Sequence, residues 1–131
     1  MKYIVVIARL LLSLLGIALV VLGILFWTGH ALSLLPLHMM LGGLFVISLW
    51  ALAIPGLFSR DSRPLALVVL IWSLIVPVLG AAQVRLLPGA DHWLIQAAHL
   101  LVGLIAIGLG HSLAGRIGRR SAVAPAVAES A

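Results

Sequence analysis

Two histidines stand inside apolar stretches long enough to cross a membrane, and glycine follows each of them four residues later. The first stretch reads His38-Met-Met-Leu-Gly42 and the second His99-Leu-Leu-Val-Gly103. A neutral imidazole carries one acceptor nitrogen and is the commonest metal ligand among side chains. An ionisable group in hydrocarbon is expensive enough that its presence there marks a functional-site candidate. The two histidines are 61 residues apart, which is also the offset at which the first half of the chain overlays the second. That overlay sets Gly42 on Gly103 and Pro36 on Ala97.

These residues need elements to hold them, and composition says which kind. Of 131 residues, 64% are hydrophobic and 8% are charged, more apolar surface than a soluble domain of this size can hide. The reading is an integral membrane protein, all-α. With no cysteine, the chain excludes disulfides, thiolate metal sites, thiol catalysis and covalent haem attachment. The net charge of +5 does not point to nucleic acid, because the cations gather at the ends of apolar runs, where they act as topology signals. Three acidic residues, none within a span, leave no acid/base pair for hydrolysis and no intramembrane carboxylate for ion transport.

Four runs approach or exceed the roughly 20 residues that span a bilayer: Ile4 to Trp27, Ala31 to Ile54, Leu65 to Leu86 and His92 to Leu113. Thr28-Gly29-His30 breaks the first from the second. A proline- and glycine-bounded loop, residues 55–64, separates the second from the third, and Leu87-Pro88-Gly89-Ala90-Asp91 the third from the fourth. The first run is far longer than the apolar region of about 7–15 residues in a secretory signal, so it is read as a retained helix. Residues 1–114 form one transmembrane four-helix domain, and 115–131 a basic tail expected to be disordered.

Seven of the eight cations, Lys2, Arg9, Arg60, Arg63, Arg116, Arg119 and Arg120, mark one face of this layout, and Arg85 alone lies on the other. The positive-inside rule then places both termini in the cytoplasm. The expected architecture is an up-down-up-down bundle of two parallel helical-hairpin repeats in a cytoplasmic (inner) membrane. With the second and fourth helices starting near His30 and Asp91, each histidine lies eight residues in, at a depth of about 12 Å for a 1.5 Å rise. Helices two and four are diagonal in such a bundle, so their facing side chains meet on its axis.

Two imidazoles at one height on opposite walls offer the two axial nitrogens that a six-coordinate haem takes. Glycine at i+4 lies about 40° around the helix from the histidine, which leaves room there for the edge of a flat macrocycle. Small residues continue the pattern: His99, Gly103, Ala106 and Gly110 on the fourth helix, Ser13, Gly16, Val20 and Gly23 on the first, Ser73, Pro77 and Gly80 on the third. The same stripes also serve close helix packing without any cofactor, and an intramembrane histidine can instead bond a neighbouring helix.

Other polar residues have plainer readings beside sharper ones. Arg85 is placed to meet outward-pointing haem propionates, or to snorkel and pair with Asp91. Gln83 and Gln96 suit interhelical bonds, or a contact to an imidazole or a quinone. His30 and His92 fall at the boundary, where they are solvated or line a metal or quinone site. His111 lies about 18 Å along the helix from His99, with an interfacial reading. Trp27, Trp50, Trp72 and Trp93 read as interfacial anchors or core fillers. Met39 and Met40 beside His38 raise copper ligation, without matching methionines near His99.

In this arrangement the chain resembles the membrane-bound b-type cytochromes over Ile4 to Leu113, on architecture together with His38 and His99. The resemblance implies haem b held non-covalently by His38 and His99, with Gly42 and Gly103 accommodating the porphyrin. It also implies electron transfer to or from a quinone or a redox partner protein, in contact with membrane lipid and without nucleic acid. One haem is the most this chain supports, since no second histidine pair lies within the membrane. The competing expectation is a structural or accessory subunit of a larger membrane complex, without a cofactor of its own. A weaker one is a transporter or quinone-binding protein built from the repeats.

Overall fold

The computed structural model describes the backbone from Lys2 to Glu129 and the side chains from Tyr3 to Arg119. Four long helices account for nearly all of it: α1 (Lys2–Trp27), α2 (Leu35–Leu57), α3 (Arg63–Ala82) and α4 (His92–Glu129). Each carries a stretch long and apolar enough to cross a membrane. The helices form because the runs are leucine-rich and because hydrocarbon leaves a backbone no partner but itself. Prolines fall mostly where a helix tolerates them. Pro36 and Pro64 sit in the first turns of α2 and α3, where the missing N–H would be unpaired anyway. Pro55 lies in the last turn of α2 and Pro77 inside α3.

The boundaries differ from the sequence reading at several helix ends; the expected loop at 55–64 shrinks to residues 58–62, because α2 runs on to Leu57 and α3 begins at Arg63. The second helix was expected from Ala31, but Ala31 adopts a left-handed conformation (φ 56°) and Leu32–Leu34 form one 3-10 turn before α2 begins. His38 is therefore the fourth residue of its helix, not the eighth, whereas His99 is the eighth residue of α4. The third helix passes into a 3-10 turn, Gln83–Arg85. The fourth does not stop near Leu113; its span runs His92–Arg119, and its backbone stays helical to Glu129. The expectation of a disordered tail falls largely on residues 120–131, whose side chains lie outside those described.

Helices consecutive in the chain pack side by side, and α4 closes the bundle against α1. Of the two diagonals, α2 and α4 approach each other, while α1 and α3 have no Cα atoms within 8 Å. The bundle is thus squeezed along the diagonal that carries His38 and His99. Its buried core lies mostly in one half, Val5, Ala8 and Leu12 on α1, Leu49, Leu52 and Ala53 on α2, Ala66 and Val69 on α3, Leu113 and Ala114 on α4, and reaches the middle of the bundle at Phe45 and Ala106. Gly56 and Gly110 belong to this half. A Cβ at Gly110 would stand 2.5 Å from Leu12 Cδ2, and one at Gly56 3.0 Å from Ala66 Cβ. Close approach of helices through small residues is the usual packing device in membranes.

The other half is built differently. Residues 35–44, 74–82 and 92–105 include no fully buried side chain, and in that half of α1 only Leu22 is buried. Two tryptophans tie the helices together at its margin. Trp50 donates to Ser73 Oγ at 2.9 Å, joining α2 to α3, and Trp72 donates to the Val102 carbonyl at 2.9 Å, joining α3 to α4. Both act as interhelical ties; Trp50 is exposed and Trp72 half-buried, so neither fills the core.

Candidate functional site

The loosely filled half holds the histidine pair. The His38 and His99 rings face one another across the bundle, with centroids 6.4 Å apart and planes inclined at 57°. Each ring leans on a different neighbour. Phe26, from the last turn of α1, meets His38 edge-on at 5.4 Å, an arrangement worth about 0.5–1.5 kcal/mol beyond simple burial. His99 lies against the backbone of α3 at Gly80, where a Cβ would fall 2.8 Å from its Cε1. All four helices thus contribute: a flanking aromatic, two imidazoles, and a glycine that gives one imidazole its place.

Hydrogen bonding sets these two histidines apart. The Nδ1 atoms of His38 and His99 are both buried and have no hydrogen-bond partner. Leaving a buried polar atom unpaired costs about 1–3 kcal/mol, and this cost falls twice in one small region. A hydrogen bond needs heavy atoms about 3 Å apart, and rings centred 6.4 Å apart are too distant to bond each other directly. An interhelical bond, the ordinary reason to keep an imidazole in a membrane helix, is not formed at either Nδ1.

Gly42 and Gly103 stand one turn beyond the two histidines, and a Cβ at either would meet nothing within 4 Å. They differ in this from Gly16, Gly56, Gly80 and Gly110, each of which has a neighbouring side chain close against it. Comparison with protein-family models, curated proteins and solved structures finds no match to this chain. The reading of the site rests on its geometry.

That geometry constrains the ligand. Among the described residues no group of three or more His, Cys, Asp or Glu gathers to hold a metal ion, so the four protein ligands of a structural zinc centre are not assembled. A centre using only two protein donors must take its other ligands from the cofactor, as a porphyrin's four nitrogens provide. Two imidazoles on opposite sides of one metal have ring centres roughly 6 Å apart, given metal–nitrogen bonds of about 2.0–2.1 Å. The observed separation is 6.4 Å, which also lies within the ordinary range for two neighbouring aromatic rings. Met39 and Met40 are 66% and 57% exposed, which does not favour a thioether–imidazole copper centre.

The remaining polar residues are scattered. Arg85 ends the 3-10 turn after α3 and is exposed, with no hydrogen bond to either histidine. Gln83 and Gln96 are half-buried. His30 is exposed and bonded to Thr28 Oγ1 at 3.1 Å, while His92 Nδ1 is 3.3 Å from the Leu86 carbonyl. His111 is bonded at both ring nitrogens. Its Nδ1–H donates to the Ile107 carbonyl at 3.0 Å, and its Nε2 is 3.0 Å from Ser13 Oγ on α1.

Sequence reasoning found both histidines and their glycines. It placed Gly80 in a stripe of small residues without linking it to His99, and it passed over Phe26. Phe26 had no motif to reveal it; the only available signal was its place in the last turn of the helix that precedes His38.

Proposed function

We propose that this chain is a small membrane b-type haem protein that carries electrons, with one haem held between His38 on α2 and His99 on α4. The observation that carries the reading is the pair of imidazoles 6.4 Å apart with both buried Nδ1 atoms unpartnered. In this reading the helices run up-down-up-down as two parallel hairpin repeats. Both termini are cytoplasmic, following the distribution of lysine and arginine, and the membrane is the inner one. Haem bound there supplies a one-electron couple.

The chain's own residues do the rest. His38 and His99, on facing helices, would hold the haem through their imidazole nitrogens. Gly42 and Gly103 leave the wall open one turn away from them, where the ring edge needs room. The surrounding leucines and valines keep water away and hold the local dielectric low. Arg85, the one cation at this end, is placed to neutralise propionates. No residue cluster suggests bond-making chemistry, so the partners are a quinone or a redox protein that exchanges electrons with the haem.

The test is the visible spectrum of protein purified from cells supplied with haem. A reducible Soret and α-band pattern of bis-imidazole type supports the proposal, provided that His38→Ala and His99→Ala each abolish that six-coordinate signature. A colourless wild-type protein, or a pigment unchanged by both substitutions, overturns it in favour of an accessory subunit without a cofactor.

A further inference from the structure

The two histidines, matched in sequence, are held unequally. His99 sits two full turns into the longest helix of the protein, and its ring rests on the backbone of α3 at Gly80. His38 sits in the first turn of α2. No side chain caps that turn, and it is reached through a left-handed alanine and a single 3-10 turn. A non-glycine residue at positive φ costs about 1–3 kcal/mol. The first turn of any helix also has backbone donors without helical partners. Helix ends of this kind open locally far more readily than helix interiors. The ring of His38 rests against the Phe26 side chain, which can itself move, whereas His99 rests on main chain.

The repeat does not conserve either brace. At the 61-residue offset, Phe26 corresponds to Leu87 and Gly80 to Leu19. The asymmetry therefore belongs to the environments, not to the His-x-x-x-Gly units.

Resting on the haem reading, we infer that His99 is the fixed axial ligand, with Gly80 as its positioning residue, and that His38 is the replaceable one. The site then admits a small exogenous ligand, such as carbon monoxide, on the His38 side. The exchange is a ligand substitution without redox change: the His38 nitrogen leaves its position as lone-pair donor and the incoming molecule takes it.

The experiment uses full-length protein purified in detergent, reduced with dithionite and exposed to carbon monoxide, with haem content and spectra read alongside helicity. Wild type is expected to bind carbon monoxide. His38→Ala should retain haem in a five-coordinate form and bind carbon monoxide faster. His99→Ala should lose most of its haem, and Gly80→Ala should bind haem about tenfold more weakly, within the range known for residues that orient a metal ligand. Should Gly80→Ala lose helicity, His99→Gly supplemented with free imidazole takes its place, and recovery of haem there supports the assignment. Equal haem loss in His38→Ala and His99→Ala, greater loss in His38→Ala, or a wild type inert to carbon monoxide overturns the inference while the haem reading stands. A colourless wild type overturns both.

Discussion

In the half of the bundle around Leu12, Leu49 and Leu113, His111 has a partner for each ring nitrogen and sits among tightly packed side chains. In the half around Phe26 and Gly80, His38 and His99 have unpartnered Nδ1 atoms, and few side chains near them are fully buried. The three residues are chemically identical and all lie in membrane-spanning helices. One does what an intramembrane histidine ordinarily does, which is to tie helices together. The other two bear an unpaired polar atom each, a cost that a ligand would offset only by bonding those Nδ1 atoms themselves. Three histidines in similar helices thus differ in their hydrogen bonds: one is fully partnered and two are not.

Two glycines on α4 give the sharpest way to break this comparison. Gly103 and Gly110 lie on one face of one helix, in opposite halves. Gly110→Ala places a methyl 2.5 Å from Leu12 and 2.7 Å from Leu49, and overpacking of this kind costs about 1–3 kcal/mol. Gly103→Ala meets nothing within 4 Å, so unfolding in mixed micelles should show no loss of stability. Equal destabilisation by the two would mean that the halves are packed alike.

The next effect concerns His111. His111→Ala removes a bond to Ser13 and the local bond to Ile107. Interhelical hydrogen bonds in membranes average about 0.6 kcal/mol and reach about 1.7, so a stability loss of about 1 kcal/mol is expected, with the spectrum unchanged. Ser13→Ala keeps the imidazole and removes only its α1 partner, for a loss of about 0.6 kcal/mol. Its one hydroxyl proton can be given either to His111 or to the Arg9 carbonyl 3.0 Å away, and that carbonyl is already part of the helix ladder and loses little. A spectral change in either variant would tie His111 to the site and dissolve the distinction between the halves.

The fold was legible because hydrophobic length is a strong signal in a chain with so few charges. The four runs, a connection between the second and third and the break near Thr28 all follow from it, although the helices take up both ends of the loop expected at 55–64. The start of α2 was missed because Ala31 and Leu32 are apolar like the helix that follows, and nothing in their side chains announces the left-handed turn. The histidine pair was legible through spacing and repetition. Its braces were not, since they depend on how α1 and α3 are rotated about their own axes. Amphipathic helices of soluble proteins reveal that rotation through an apolar stripe, whereas these helices are apolar on every face. Gly80 and Leu79 look equivalent in such a sequence, yet only Gly80 lies under the His99 ring. The same uniformity hid the contact between Ser13 and His111, which lie 98 residues apart.

The smallest expected effect probes the reach of the site toward its end of the bundle. Arg85 is exposed and carries the one cation there. Removing a positive charge near the iron favours the oxidised form, which bears one more positive charge, so Arg85→Gln should lower the reduction potential. Solvent and salt screen an exposed guanidinium, and the shift should stay well under the ~59 mV that corresponds to a tenfold change in a one-electron equilibrium. Spectroelectrochemical titration at low and high ionic strength checks this: the difference between wild type and Arg85→Gln should shrink as salt is added. A shift that persists at high salt would put the guanidinium in direct, desolvated contact with the propionates. An upward shift would mean that Arg85 does not act on the iron through its charge, leaving its side chain to the membrane interface.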